Sequence, residues 1–252
     1  MNIYLSIILW LTYLMSLYFS IFLLIVFLER RFIFDEPQRS RLKRFPLVSI
    51  IIPAYNEQES ILDTLSSVLG LDYPNDKLEV IVVDDGSSDN TYRIVADYIK
   101  DREHVTILRH KNRGKAASLN RALGIVSGEF FACLDADSVV EKDALKNMLA
   151  FYYSKQDKNL AVIVPAMKVR APRTLLQKVQ WIEYLVIVLI SRLASALDCI
   201  YVAPGPFSIY RTDIIRKLGG FDEKNLTEDQ EIAYHIQAHH YRILQCPSAF
   251  VH

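Results

Sequence analysis

The sequence predicts an α/β domain with a mainly parallel central sheet flanked by helices, preceded by one apolar helix. Three observations carry that expectation. The stretch Ile3–Leu28, 26 residues, contains no charged side chain, and about 20 apolar residues suffice for a helix to cross a bilayer. From Leu47 onward, β-branched runs alternate with segments whose apolar residues recur at helical spacing. This is the pattern of parallel strands buried on both faces and joined by helices. Three of the runs end in polar clusters, Tyr55-Asn56-Glu57, Asp84-Asp85 and Asp135-Ala136-Asp137. In open α/β sheets ligands gather at the carboxyl ends of strands.

Composition narrows the function classes. The 252 residues hold 29 Lys plus Arg against 29 Asp plus Glu, so no basic excess points to a nucleic-acid partner. Cys133, Cys199 and Cys246 are widely spaced and lack metal-ligand spacing, which favours a reducing compartment. The apolar N-terminal run is too long for a cleaved leader, and no basic residue precedes it. A retained anchor, 1–29, is expected. Arg30, Arg31, Arg39, Arg41, Lys43 and Arg44 follow it within a juxtamembrane linker, 30–46. Their charge places the remainder of the chain on the cytoplasmic side of the cell membrane, with basic side chains near lipid headgroups.

The domain, 47–252, opens with a strand over Leu47–Ile52 that Pro53 is expected to end. Ile61, Leu62, Leu65, Val68 and Leu69 predict a helix closed by Gly70. A second strand covers Glu79–Val83, a helix Thr91–Lys100, a third strand Val105–Leu108 and a small-residue helix Ala116–Val126. Phe130–Leu134 is the next strand, followed by one over Ala161–Val164 and a late one at Phe250-Val251 that His252 closes. Leu175–Leu197 reads as a helix with Leu176, Val179, Ile182, Leu185, Val186, Leu189 and Leu193 on one face. Lys178, Glu183, Arg192 and Asp198 interrupt it too often for a second span, so it is expected at the membrane surface or packed on the sheet.

Asp135 and Asp137 would repel each other in a dry site unless positive charge lay beside them. A hard Mg²⁺ or Mn²⁺ shared with substrate phosphates fits two such carboxylates, although helix capping is the simpler role for a loop aspartate. No G-x-G-x-x-G follows the first strand and no G-x-x-x-x-G-K-[ST] occurs. Dinucleotide oxidoreductases and P-loop NTPases are therefore disfavoured. The missing Gly-rich phosphate loop also ranks a sugar-phosphate nucleotidyltransferase last.

Val48–Glu57, Val82–Asp89, Asn112-Arg113-Gly114-Lys115-Ala116, Asp135-Ala136-Asp137 and Leu226-Thr227-Glu228-Asp229 together resemble the family 2 inverting glycosyltransferases. They are most similar to the membrane-bound branch of cellulose, chitin, hyaluronan and poly-N-acetylglucosamine synthases. The resemblance implies a GT-A fold, with a nucleotide-sugar-binding half (47–140) and an acceptor-binding half (141–252). It also implies a nucleotide-diphosphate sugar donor, usually a UDP-sugar, a divalent metal, and a saccharide or lipid-linked acceptor. Carried over residue by residue, it makes Asp137 the direct metal ligand and sets Asp135 near ribose and metal. Asp85 accepts a hydrogen bond from the base, Tyr55 and Glu57 line the nucleotide pocket, and Asp84 joins them or merely supports the turn. Lys115 lies near the diphosphate, unless it is a solvated loop lysine. Gly205, Pro206 and Glu228 belong to the acceptor site.

Asp229 is implied as the base that takes the acceptor hydroxyl's proton. Thr227–Glu231 also reads simply as a helix start with acidic residues complementing the dipole. His252 is an alternative extra metal ligand, and the remaining histidines read as surface or core residues. Chain-extending synthases carry a Gln-x-x-Arg-Trp motif and further membrane helices after the Thr-Glu-Asp segment. The sequence to His252 has neither, which leaves a catalytically silent nucleotide-binding subunit as the alternative.

Overall fold

The computed structural model describes residues 3–29, 42–168 and 173–252. They fall into two compact units divided between Pro37 and Gln38. The first contains one helix, α1 (Ile3–Glu29), whose only charged residue is its last. At 1.5 Å per residue α1 is about 40 Å long, against a hydrocarbon thickness of about 30 Å. Arg30, Arg31, Arg39 and Arg41 lie outside the described residues.

The second unit is a seven-stranded sheet with helices on both faces. Its elements in order are β1 (Val48–Ala54), α2 (Ile61–Leu69), β2 (Leu78–Asp84), α3 (Thr91–Tyr98), β3 (Val105–Arg109), α4 (Lys115–Leu123) and β4 (Phe130–Cys133). There follow α5 (Ala144–Lys155), β5 (Leu160–Met167), α6 (Leu175–Ala196), β6 (Ser208–Arg211), α7 (Thr212–Leu218), α8 (Glu228–Ala238) and β7 (Arg242–Val251). The strand order is β3-β2-β1-β4-β6-β5-β7. Every pairing is parallel except those of β6, which runs antiparallel to both β4 and β5.

Alternation explains the continuous apolar runs. Ile50, Ile52, Val80, Val82, Phe130 and Ala132 point to one face, where α2 and α5 cover them. Ile51, Ile81, Val83, Phe131 and Cys133 point to the other, under α4, α7 and α8. Successive side chains alternate across a strand, so a strand covered on both faces needs an apolar residue at every position. The ring of Phe131 stacks on Tyr210, centroids 5.0 Å apart, and thereby joins β4 to β6 within the second layer.

Four sequence expectations need correction. Pro53 lies inside β1, whose register with β2 runs on to Ala54↔Asp84. The pairing of β1 with β4 stops at Ile51↔Cys133, so the missing proline N–H costs no ladder bond on that side. The segment 42–46 is part of the domain and not linker. Arg44 pairs with Glu129 at 2.7 Å, Phe45 packs edge-on against Tyr73, and the Tyr73 hydroxyl donates to the Pro46 carbonyl. The sequence reading left out α5, α7 and β6 altogether. Finally, β7 is ten residues long and not merely a closing Phe250-Val251 pair.

The thiols offer a direct check of this layering. Cys133 and Cys246 are buried and Cys199 is exposed, and burial pushes the Cys133 thiol well above its ordinary range. The native chain should react promptly with a thiol reagent at one cysteine, Cys199, and at all three only after unfolding. Prompt modification of Cys133 would contradict its place in the sheet.

Candidate active site

Parallel register brings the ends of β1, β2 and β4 to one rim, and the three polar clusters follow there. After β1, Asn56 adopts a left-handed backbone conformation (φ 56°), which asparagine tolerates better than most residues. Its Oδ1 accepts from the Ser88 N–H at 2.8 Å, and its own N–H donates to Ser87 Oγ at 2.9 Å. The Glu57 N–H donates to Thr91 Oγ1 at 2.8 Å. The β1 loop is thus stitched to the β2 loop, which holds Tyr55 and Glu57 over the rim.

Asp84 and Asp85 are adjacent and do different things. Asp84 is fully buried; its Oδ1 accepts the Ser87 N–H, and Arg109 Nε lies 2.9 Å from its Oδ2. Its side chain braces the turn and does not line the cavity. Asp85 accepts the N–H of Arg113 (2.8 Å) on one oxygen and that of Gly114 (2.9 Å) on the other. Gly114 has φ 91°, a conformation natural only to glycine. Gly86 is needed for a different reason, because a Cβ there would fall 2.7 Å from the Asn112 nitrogen.

Lys115 is the first residue of α4, where a cation opposes the helix dipole. Two carboxylates outweigh that cost: its Nζ lies 2.6 Å from Asp135 Oδ1 and 3.1 Å from Glu228 Oε1. Burial works against the charged ammonium, but these two neighbours prevail and raise its pKa above the ordinary lysine range. Gly205 lies against the same group. A Cβ there would fall 2.5 Å from Lys115 Nζ and 2.8 Å from Asp135 Oδ2.

Tyr55, Glu57, Asp85, Lys115, Asp135 and Asp137, together with Ser118, line one cavity of about 270 Å³. Pro206 lines a second cavity of about 220 Å³ with Ser138, Lys168, Gln180, Tyr184 and His252. Glu228 reaches the first cavity through Lys115. Asp229 sits in the first turn of α8, its carbonyl accepting the Ala203 N–H at 3.1 Å and its Oδ1 accepting the Gln230 N–H at 2.8 Å. A larger cavity, about 620 Å³, opens beside Tyr152, Tyr153 and Arg211 at the opposite rim. Three of its charged groups are held in ion pairs, Glu129 with Arg44, Arg211 with Asp213 and Asp157 with Arg242, whereas the paired aspartates after β4 open into the smaller cavity.

The donor set suits a hard divalent cation. Asp135 and Asp137 present carboxylate oxygens two residues apart, and Asp137 has no ion pair among the described residues. Among those residues no three His, Cys, Asp or Glu side chains converge as a metal cage. Mg²⁺ and Mn²⁺ commonly take one or two carboxylates and fill the remaining positions with phosphate and water. His252, the alternative ligand, has its Nε2 3.2 Å from Glu141 Oε1.

Two contributors escaped the sequence reading. His110 follows β3 directly, on the same rim, with Nδ1 3.6 Å from Asp85 and Nε2 3.1 Å from Ser118 Oγ; its position at a strand end was the available signal. Asn120 exchanges two hydrogen bonds with the Phe221 backbone, both 2.8 Å, and donates to Glu223 at 3.1 Å. Glu223 also pairs with Arg113 at 2.7 Å. Nothing local marks a helix asparagine whose partners lie about 100 residues away.

A family model described as Glycosyl transferase family 2 matches residues 49–219. Over 203 residues the chain is 34% identical to a poly-beta-1,6-N-acetyl-D-glucosamine synthase of Staphylococcus epidermidis and 32% identical to one of Staphylococcus aureus. Each match covers 80% of this chain and 48% of the relative, so the chain spans about half the length of these curated relatives. Among solved structures, a mannosyltransferase of Pyrobaculum calidifontis in complex with GDP-Man and Mn²⁺ superposes with TM-score 0.76 at 25% identity. That match covers 95% of this chain and 66% of the other. S. aureus TarS 1-349 in complex with UDP-GlcNAc gives TM-score 0.61 at 26% identity, over 81% and 57% of the two chains.

The Asp85 clamp can be tested without any ligand. Asp85→Ala frees two loop N–H groups, so tryptic cleavage after Arg113 should rise several-fold while the melting temperature moves little. Unchanged cleavage would mean that the loop is held elsewhere.

Proposed function

The chain belongs to glycosyltransferase family 2, and from that premise we propose a membrane-anchored, metal-dependent enzyme that transfers a sugar with inversion from a UDP-sugar to a saccharide or lipid-linked acceptor. One observation supports this above the others. A single cavity gathers Asp85, Lys115, Asp135 and Asp137, and Lys115 ties it to the segment carrying Glu228 and Asp229.

Each residue has a task in that reaction. Each Asp85 oxygen accepts one N–H from the loop and keeps a lone pair for an N–H of the nucleotide base. Tyr55, half-exposed over the cavity, offers its ring to the base. Asp137, with Asp135, would hold a divalent cation, which supplies positive charge to the diphosphate leaving group. Lys115 adds a second positive charge on the same side.

Inversion needs one displacement: the acceptor oxygen bonds to the anomeric carbon as the bond to the diphosphate breaks on the far side. The acceptor's proton must leave at that moment, and a carboxylate is the suitable base. Glu228 is engaged by Lys115, whereas among the described residues the Asp229 carboxylate accepts only the Gln230 N–H. Asp229 is therefore the better base. Glu228, Gly205 and Pro206 shape the acceptor side, where the second cavity opens.

The relatives direct the choice of donor. One is a synthase of an N-acetylglucosamine polymer and another structure holds UDP-GlcNAc, so UDP-GlcNAc is the first donor to test, with GDP-Man as comparison. Anchoring rests on α1, and the basic residues after it put the domain on the cytoplasmic side.

The purified full chain should bind UDP, and Mn²⁺ or Mg²⁺ should tighten that binding. Asp137→Ala should abolish the metal-dependent gain. Asp229→Asn should leave UDP affinity nearly unchanged and lower turnover by on the order of 10²–10⁴-fold. EDTA should arrest turnover and Mn²⁺ restore it. Nucleotide binding without turnover on any acceptor would favour a silent subunit, and no nucleotide binding with or without metal would defeat the proposal.

A further inference from the structure

The later turns of α8 hold a constellation that the reaction above does not use. Glu231, His235 and His239 follow one another at intervals of four residues, so they stack along one side of the helix. Ile232, Ala233 and Ile236 fasten the neighbouring side into the second apolar layer, which fixes the direction in which the histidines face. His235 is half-buried and His239 is exposed. Their rings meet edge to face, with centroids 4.8 Å apart. One histidine at this end is accounted for by the helix dipole. The second, and the way each ring is held, is not.

Hydrogen-bond accounting leaves each ring with a bare nitrogen. His239 Nδ1 lies 2.9 Å from the His235 carbonyl oxygen. A carbonyl only accepts, so Nδ1 carries the proton and Nε2 keeps its lone pair. His235 Nδ1 faces Glu231 Oε1 at 3.9 Å. That is too long for a hydrogen bond, but the carboxylate still favours the tautomer with its proton on Nδ1, which leaves Nε2 bare here as well. The other carboxylate oxygen, Glu231 Oε2, is buried without a hydrogen-bond partner among the described residues. Histidines that ligate metals present their second N–H to a carboxylate or a backbone carbonyl, and this pair has one of each.

We propose that His235 and His239 chelate one borderline transition-metal ion, Zn²⁺ foremost, through their Nε2 atoms, with Glu231 orienting His235 from behind. Two histidines four apart on one helix face have the spacing that binds zinc. Imidazole suits Zn²⁺, Ni²⁺ and Cu²⁺, whereas Mg²⁺ and Mn²⁺ prefer oxygen ligands. The chain would thus sort metals by class, a hard ion to Asp135 and Asp137 and a softer one to the far end of α8. Water would complete the coordination, because among the described residues no third His, Cys, Asp or Glu side chain closes a cage. The negative end of the helix dipole adds attraction for the cation. Chelation needs both residues on successive helical turns, which the unfolded chain lacks, so the ion staples the helix whose first turn carries Asp229. The site stands whether or not the chain transfers a sugar.

The test uses the full chain in detergent carrying Asp137→Ala and Cys199→Ser, which remove the aspartate pair and the exposed thiol from competition. Zn²⁺ is titrated against a chromophoric chelator. One ion should bind per chain, and a large excess of Mg²⁺ should not displace it. His235→Gln and His239→Gln should each weaken binding more than tenfold, and Glu231→Gln by about tenfold, the scale of losing a group that orients a ligand. His240→Gln, at the exposed residue beside the pair, should change nothing. Zn²⁺ should also raise the melting temperature of the parent chain and leave that of the His235→Gln/His239→Gln double variant in place, with circular dichroism showing that the variant is folded. Absence of Zn²⁺ binding, its displacement by Mg²⁺, equal binding by the double variant, or an equal loss on His240→Gln would each overturn the proposal.

Discussion

The site depends on one ammonium group. Lys115 Nζ lies between Asp135 and Glu228, and without it the rim would gather Glu57, Asp85, Asp135, Asp137 and Glu228 with little to offset their repulsion. The lysine opens α4 directly after the loop that Asp85 clamps, Asp135 follows β4, and Glu228 begins α8. Three segments distant in sequence are therefore pinned at one point. The pin also dictates what may approach it: at Gly205 there is no room for a side chain, so this part of the rim is built from bare backbone.

A second tie runs parallel to the first. Asn120, one turn along α4 from Lys115, holds the Phe221 backbone in both directions, and Glu223 next to it reaches Arg113. Gly220 accommodates this contact, since a Cβ there would fall 2.5 Å from Asn120 Oδ1. The loop that grips Asp85 and the segment that leads to Asp229 are thus fastened to the same helix.

Much of this was legible beforehand, for definite reasons. β1, β2 and β4 are covered on both faces, and that condition writes itself as unbroken apolar runs. The polar clusters were legible because a strand's end is where its apolar run stops. β6 was not, since a four-residue strand reading Ser-Ile-Tyr-Arg has too short a run to distinguish it from a loop. α5 was missed because its outer positions carry tyrosines, phenylalanine and lysines together, which blurs the helical period. The division of labour between Asp84 and Asp85 was also hidden: neighbouring strand residues point to opposite sides, but the sequence does not say which side faces the ligand. For Asn120 and His110, function comes from partners that only the fold supplies.

The antiparallel insertion of β6 has a consequence in time. β4 finds its outer partner only in β6, and Cys133↔Ser208 is the first pair the growing chain can make. The intervening stretch is about 75 residues (208 − 133), which a ribosome takes roughly 4–15 s to add. For that interval the nascent sheet presents Phe130–Cys133 as a bare apolar edge, the kind that recruits foreign strands. That hazard therefore lies in the strand that leads into the paired aspartates, and it ends only when the strand running the other way emerges.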